Sequence, residues 1–170
     1  MKRNIKLLLF ISSCIVFIGC DQTTKEIAKE NLKNEPDKTY LNESIVLTYA
    51  ENTGAALSLG AGLPQSANFI LLSVIPLIVM SGLFIHSVRR IRIYNKWKLF
   101  SLSLLIAGGL GNIFDRIFYD RHVTDFILLQ LGRYHTGIFN VADVCVTAGV
   151  IGTLIFHADH EEREANMRFD

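Results

Sequence analysis

Apolar residues in this chain gather into four long blocks, Ile5 to Gly19, Phe69 to Val88, Leu99 to Ile113 and Ile138 to Phe156, separated by polar and charged stretches. Each block is close to the ~17–25 residues that carry a helix across a hydrocarbon core about 30 Å thick. The pattern predicts four transmembrane helices over approximately 5–21, 69–88, 98–114 and 138–157. The first and third blocks are short and end in polar, helix-compatible residues, so both should continue as helix beyond the hydrocarbon. Pro76 should kink the second. Between the blocks, Ser44 to Tyr49 is β-branched and aromatic and reads as a strand, with partners expected from Ala55 to Leu59 and Val123 to Leu131. Thr24 to Leu32 reads as helix, prolonging the first span until Asn34-Glu35-Pro36-Asp37 breaks it. The expected fold is a single, mainly α membrane domain over 1–170: four transmembrane helices, a small extracytoplasmic β-sheet forming a cradle, and a short outer helix.

Composition agrees, since 50% of the 170 residues are hydrophobic and the mean hydropathy of +0.32 is high for a soluble fold. The net charge of +1 says little; the placement of charge says more. Lys2, Arg3 and Lys6 open the first span, and Arg89, Arg90, Arg92, Lys96 and Lys98 crowd the link 89–97. The positive-inside rule puts both regions, and so both termini and the tail 158–170, in the cytoplasm. Segments 22–68 and 115–137 then face outward. Cys14, Cys20 and Cys145 lack disulfide or metal spacing and read as small buried apolar groups.

This topology collects the membrane-level polar residues at one depth. Asp21 and Lys25 follow the first span, Asn112, Asp115 and Arg116 end the third, and Asn140 and Asp143 begin the fourth, all on the outer side. At 1.5 Å per residue, Asp143 sits about 8 Å below the outer edge of its helix, where an acid costs roughly 2.5 to 3.5 kcal/mol and marks a functional site. Helical spacing makes one stripe of Gly108, Asn112, Asp115 and Arg116 and another of Asn140, Asp143 and Thr147. The glycines Gly108, Gly109 and Gly111 read equally as close helix packing or as shaping a groove. Asp21 with Lys25, and Asp115 with Arg116 or Arg121, read as ion pairs holding helices together. Asp143 has no basic neighbour in its helix. Asp125 leads an apolar run from Phe126 to Leu129 that would lie on the interface and approach Asp143. Two acids in a poorly hydrated site share one proton, so one can take a proton from water while the other protonates a carbonyl oxygen. Spacing alone leaves Asp115 open as a member of that pair.

Five motifs stand in order along the chain: Asp21-Gln22-Thr23-Thr24-Lys25, Glu51-Asn52-Thr53-Gly54-Ala55-Ala56, Gly108 to Arg116, Val123-Thr124-Asp125-Phe126-Ile127 and Phe139-Asn140-Val141-Ala142-Asp143. In this order the chain resembles the lipoprotein signal peptidases, also called signal peptidase II. The resemblance implies an intramembrane aspartic endopeptidase of the bacterial inner (cytoplasmic) membrane, active near its outer face. Such an enzyme removes the signal peptide from diacylglyceryl prolipoproteins on the amino side of the lipidated cysteine. It also implies Asp125 and Asp143 as the catalytic pair, Asn52, Gly54, Gly108, Asn112, Arg116 and Asn140 as residues that bind substrate or shape the site, and Asp21, Lys25 and Asp115 as structural polar groups. Thr124 stands where Val is usual and Leu57 where an aromatic is common. No cofactor, metal or nucleic acid is expected. The expected partners are lipidated precursors and membrane lipids, and the expected state is a monomer.

Four rival readings compete. Lys2-Arg3 followed by an apolar run and Phe17-Ile18-Gly19-Cys20 resembles a lipoprotein leader ending at Cys20, but three further spans and the bulky Phe17 argue against it. A small proton-coupled carrier would also use membrane acids, although it would be expected to hold them near mid-membrane. His157, Asp159 and His160 have metal-ligand side chains but lie at the far end of the last span. The span serines lack a positioned base, although His122 or His135 in the outer loop could in principle supply one.

Overall fold

The structure, a computed structural model, describes residues 2–55, 59, 60 and 62–166, the last ten of these by backbone alone. Ala56, Leu57 and the side chains of His157, Asp159 and His160 therefore lie outside the described residues. The chain forms α1 (Arg3–Leu32), β1 (Lys38–Tyr40), β2 (Ile45–Asn52), α2 (Gln65–Arg89), α3 (Lys96–Phe118), β3 (Val123–Leu131), β4 (Tyr134–His135) and α4 (Val141–Asn166). Among the described residues three helices, α1, α2 and α3, are long and apolar enough to cross a membrane, and the apolar part of α4, Val141–Phe156, is shorter.

The helix ends follow local chemistry. α1 continues without a break through the outer segment to Leu32, and Asn34 then adopts a left-handed φ of 66°. α2 carries a π-helical turn over Ile70–Val74, just before Pro76, whose missing N–H and ring would otherwise collide with a regular turn. Asn95 caps α3, its side chain accepting from Lys98 N. α4 starts three residues later than the apolar block, because Phe139 is used by the sheet: it pairs with Ile127 through Phe139 N to Ile127 O at 2.8 Å and the reciprocal bond at 2.9 Å.

α3 is the central helix, packing on α1, α2 and α4. Its contact with α4 depends on Gly108, where a Cβ would run into Ala142 O and Val146. At the end of the bundle that holds the link between α2 and α3 the core is apolar, built from Phe10, Cys14, Tyr94, Leu99, Leu102 and Ile106.

The sheet is antiparallel in the order β1-β2-β3-β4. Besides β3, β2 pairs with Lys38–Tyr40, and of the expected partner Ala55 to Leu59 the residues 56–58 lie outside the described residues. β2 stops at Asn52 because the Asn52 side chain accepts from Gly54 N at 2.8 Å and turns the chain, and Ala55 N bonds Leu59 O instead of a strand. A register shift between Leu47 and Ala50 puts a bulge in β2 opposite Phe126, next to the Ala50–Asp125 pair.

Candidate active site

Strand alternation aims Asp125. Successive side chains of β3 point to opposite faces. Phe126 packs with Ala28 and Leu32 under the outer part of α1, so its neighbour Asp125 turns the other way, into a cavity of about 460 Å³. Asp143, in the first turn of α4, lines the same cavity, with Asn52, Asn112 and Arg116. Leu72 and Pro76 of α2 and Val146 of α4 form its apolar walls. α2 and α4 flank it without packing extensively on each other.

The acids are joined by amides. Asn140 Nδ2 donates to Asp125 Oδ1 at 2.6 Å, and Asn52 Nδ2 donates to Asp125 Oδ2 at 3.1 Å. Asn112 Nδ2 donates to Asp143 Oδ1 at 2.8 Å. Asn140 also starts α4 with a reciprocal cap: Asp143 N donates to Asn140 Oδ1 at 3.0 Å, and Asn140 N donates to Asp143 Oδ2 at 3.2 Å. Asn140 is fully buried and Asp125 is 3% exposed. Burial pushes the Asp125 carboxyl up to about 6; the Asn52 hydrogen bond opposes this and the Asp143 charge adds to it.

A second polar cluster lies on the α1 side of Asn112. Lys25 Nζ bonds Asp21 Oδ2 and Asp115 Oδ2, each at 2.8 Å, and Asn112 Oδ1 at 3.0 Å, which uses all three of its protons. Gln22 Nε2 donates to Asp115 Oδ1 at 2.8 Å. Asp21 Oδ1 accepts from Ala142 N at 2.9 Å, so α1 caps the start of α4. The expected pairing of Asp115 with Arg116 or Arg121 is thereby corrected. Consecutive helical residues point about 100° apart, so Asp115 meets α1 while Arg116 turns to the cavity and donates through Nη2 to Gly54 O at 2.6 Å. The Gly108 to Arg116 stripe thus serves three neighbours: Gly108 touches α4, Asn112 touches both polar clusters, and Arg116 holds the outer segment.

Asn68 was not singled out by sequence reasoning. It is buried and its Nδ2 donates to Thr53 O at 2.8 Å and Gly60 O at 3.0 Å, pinning the segment that carries Asn52 and Gly54. The available signal was a lone amide at the mouth of an apolar run.

The profile of signal peptidase II matches residues 13–158. A lipoprotein signal peptidase of Clostridium acetobutylicum is 38% identical over 144 residues, covering 84% of this chain and 90% of that one. Its counterpart from Francisella tularensis subsp. novicida is 36% identical over 146 residues, covering 86% and 88%. A solved structure described as a bacterial membrane enzyme superposes with a TM-score of 0.75 at 29% identity, covering 86% of this chain and 85% of that one. With a match over most of its length and relatives this similar along nearly all of theirs, the chain belongs to the signal peptidase II family.

Proposed function

We propose that this protein is the aspartic endopeptidase that cuts lipid-modified prolipoproteins on the amino side of the lipidated cysteine, with Asp125 and Asp143 as its dyad. The observation that carries the assignment of the dyad is the shared residue Asn140, whose side chain donates to the Asp125 carboxylate and whose backbone N donates to Asp143 Oδ2, where both acids line one cavity. The bridging groups are neutral amides, so the pair keeps its incentive to share a proton. One carboxylate takes a proton from water as its oxygen attacks the scissile carbonyl carbon; the other carboxyl protonates the carbonyl oxygen. Collapse breaks the C–N bond, and the amine leaves with a proton from the dyad.

The apolar walls from Leu72, Pro76 and Val146 suit acyl chains entering between α2 and α4. Arg116, through Gly54, holds the outer segment beside the acids. Basic residues around 2–6 and 89–98 support both termini inside the bacterial inner membrane and the acids near its outer face. All the groups invoked lie on one chain, so a monomer suffices.

Purified protein incubated with a lipidated prolipoprotein should release the signal peptide, and Asp125→Asn and Asp143→Asn should each abolish release while remaining folded. Undiminished cleavage by either variant removes that acid from the mechanism. Cleavage in both would return the serine reading, for which His122→Ala is the matching control.

A further inference from the structure

Arg116 borders a second hollow of about 570 Å³, between the first turn of α2 and the end of α3. Gln65 and Ser66 line it from α2, and Arg121 lines it from the turn after α3. Arg116 is only 9% exposed. Its Nη1 and Nη2 are committed to Asn112 O and Gly54 O, and its Nε is buried with no acceptor. Arg121 Nε is also buried without an acceptor.

Backbone placement explains the convergence of these groups. Asp120 takes a left-handed φ of 47° past the end of α3, and Arg121 N bonds back to Arg116 O at 3.1 Å. This return carries Arg121 beside Arg116. Across the hollow, α2 begins after Pro64 with no side-chain cap, so its first amides and the positive end of its dipole face the same region.

A buried guanidinium N–H without an acceptor is costly, and its natural partner is an oxyanion. Asp120 also lines the hollow, beside the two guanidiniums. Phe69 and Ile117, 38% and 44% exposed, give it an apolar edge. That edge distinguishes a lipid from a free ion. We propose that the hollow binds the phosphate of a membrane phospholipid, with Arg116 Nε and Arg121 as donors and the acyl chains against Phe69 and Ile117. The ligand differs from the peptidase substrate, and occupancy would steady the same arginine that holds Gly54 beside the acids.

The test reads binding without turnover, so its failure is separable from failure of the peptidase reading. Full-length protein in detergent is titrated with dihexanoylphosphatidylglycerol and followed by native mass spectrometry, with inorganic phosphate and dihexanoylglycerol as competitors. The wild type should take up one phospholipid saturably, and Arg121→Gln and Ser66→Asp should each weaken uptake about tenfold or more. Ser66 is exposed, and an acid in a helix's first turn favours folding, so this variant serves if Arg121→Gln misfolds. Equal affinity in wild type and variants would overturn the proposal. Full competition by inorganic phosphate would overturn it in favour of a free anion site, and by dihexanoylglycerol in favour of an apolar contact alone.

Discussion

Two pairs of carboxylates flank Asn112, and the protein treats them in opposite ways. Asp21 and Asp115 meet on an ammonium group, Lys25, which saturates them with short bonds in a site where both are 1% exposed. Asp125 and Asp143 meet on Asn140, whose side-chain and backbone amides donate to them in turn and carry no charge. Burial alone therefore does not mark chemistry in this molecule, since the lysine-bound pair is buried at least as deeply. The charge of the bridging group separates a pair that locks helices together from a pair able to share a proton.

The sharpest way to break this comparison is to neutralise one acid of each pair. Asp125→Asn should lower turnover at least about 1,000-fold with the unfolding transition little moved. Asp21→Asn should instead lower the unfolding temperature and leave turnover per folded molecule largely intact. Equal effects of the two substitutions on rate would dissolve the distinction.

Next in size, Lys25→Met strands two acids in a buried site and should cost about 3–5 kcal/mol, measurable by chemical unfolding in detergent. Adding Asp115→Asn should recover part of the loss. Gly108→Ala should cost about 1–3 kcal/mol, because the new methyl group has to push Ala142 and Val146 away.

The smallest effect is a shift along the pH axis. The Asp125 carboxyl, raised to about 6, holds its proton below that pH and loses it above. A dyad needing one shared proton should lose kcat/KM as pH rises through about 6. Asn52 donates to the ionised form and so pulls the value down. Asn52→Leu should move the alkaline limb upward, and an unchanged limb would detach Asn52 from the titration.

Much of this arrangement was readable from order and period alone. Four apolar blocks anticipated the helices, and the β-favouring run Val123 to Leu131 anticipated β3. The dyad itself needed the resemblance, because spacing left Asp115 open. Partners that come from other elements were not readable. Asp115 had two arginines nearby in sequence, yet its counter-ion is on α1, since neighbours along one helix point apart. β1 offers three residues with no apolar pattern, so its pairing with β2 gave no local sign. The start of α4 was displaced because Phe139 serves a strand before the helix begins, a tertiary demand that an apolar run cannot reveal.

If Asp125 and Asp143 act as proposed, the reciprocal cap on α4 ties catalytic competence to local unfolding. Fraying of that first turn breaks the Asp143 N to Asn140 Oδ1 bond and frees the side chain that donates to Asp125, so for the proposed dyad opening and inactivation would be one event. Hydrogen–deuterium exchange at the Ala142 and Asp143 amides then reports the fraction of molecules momentarily switched off. An inhibitor that splints this turn would slow that exchange before any product is counted.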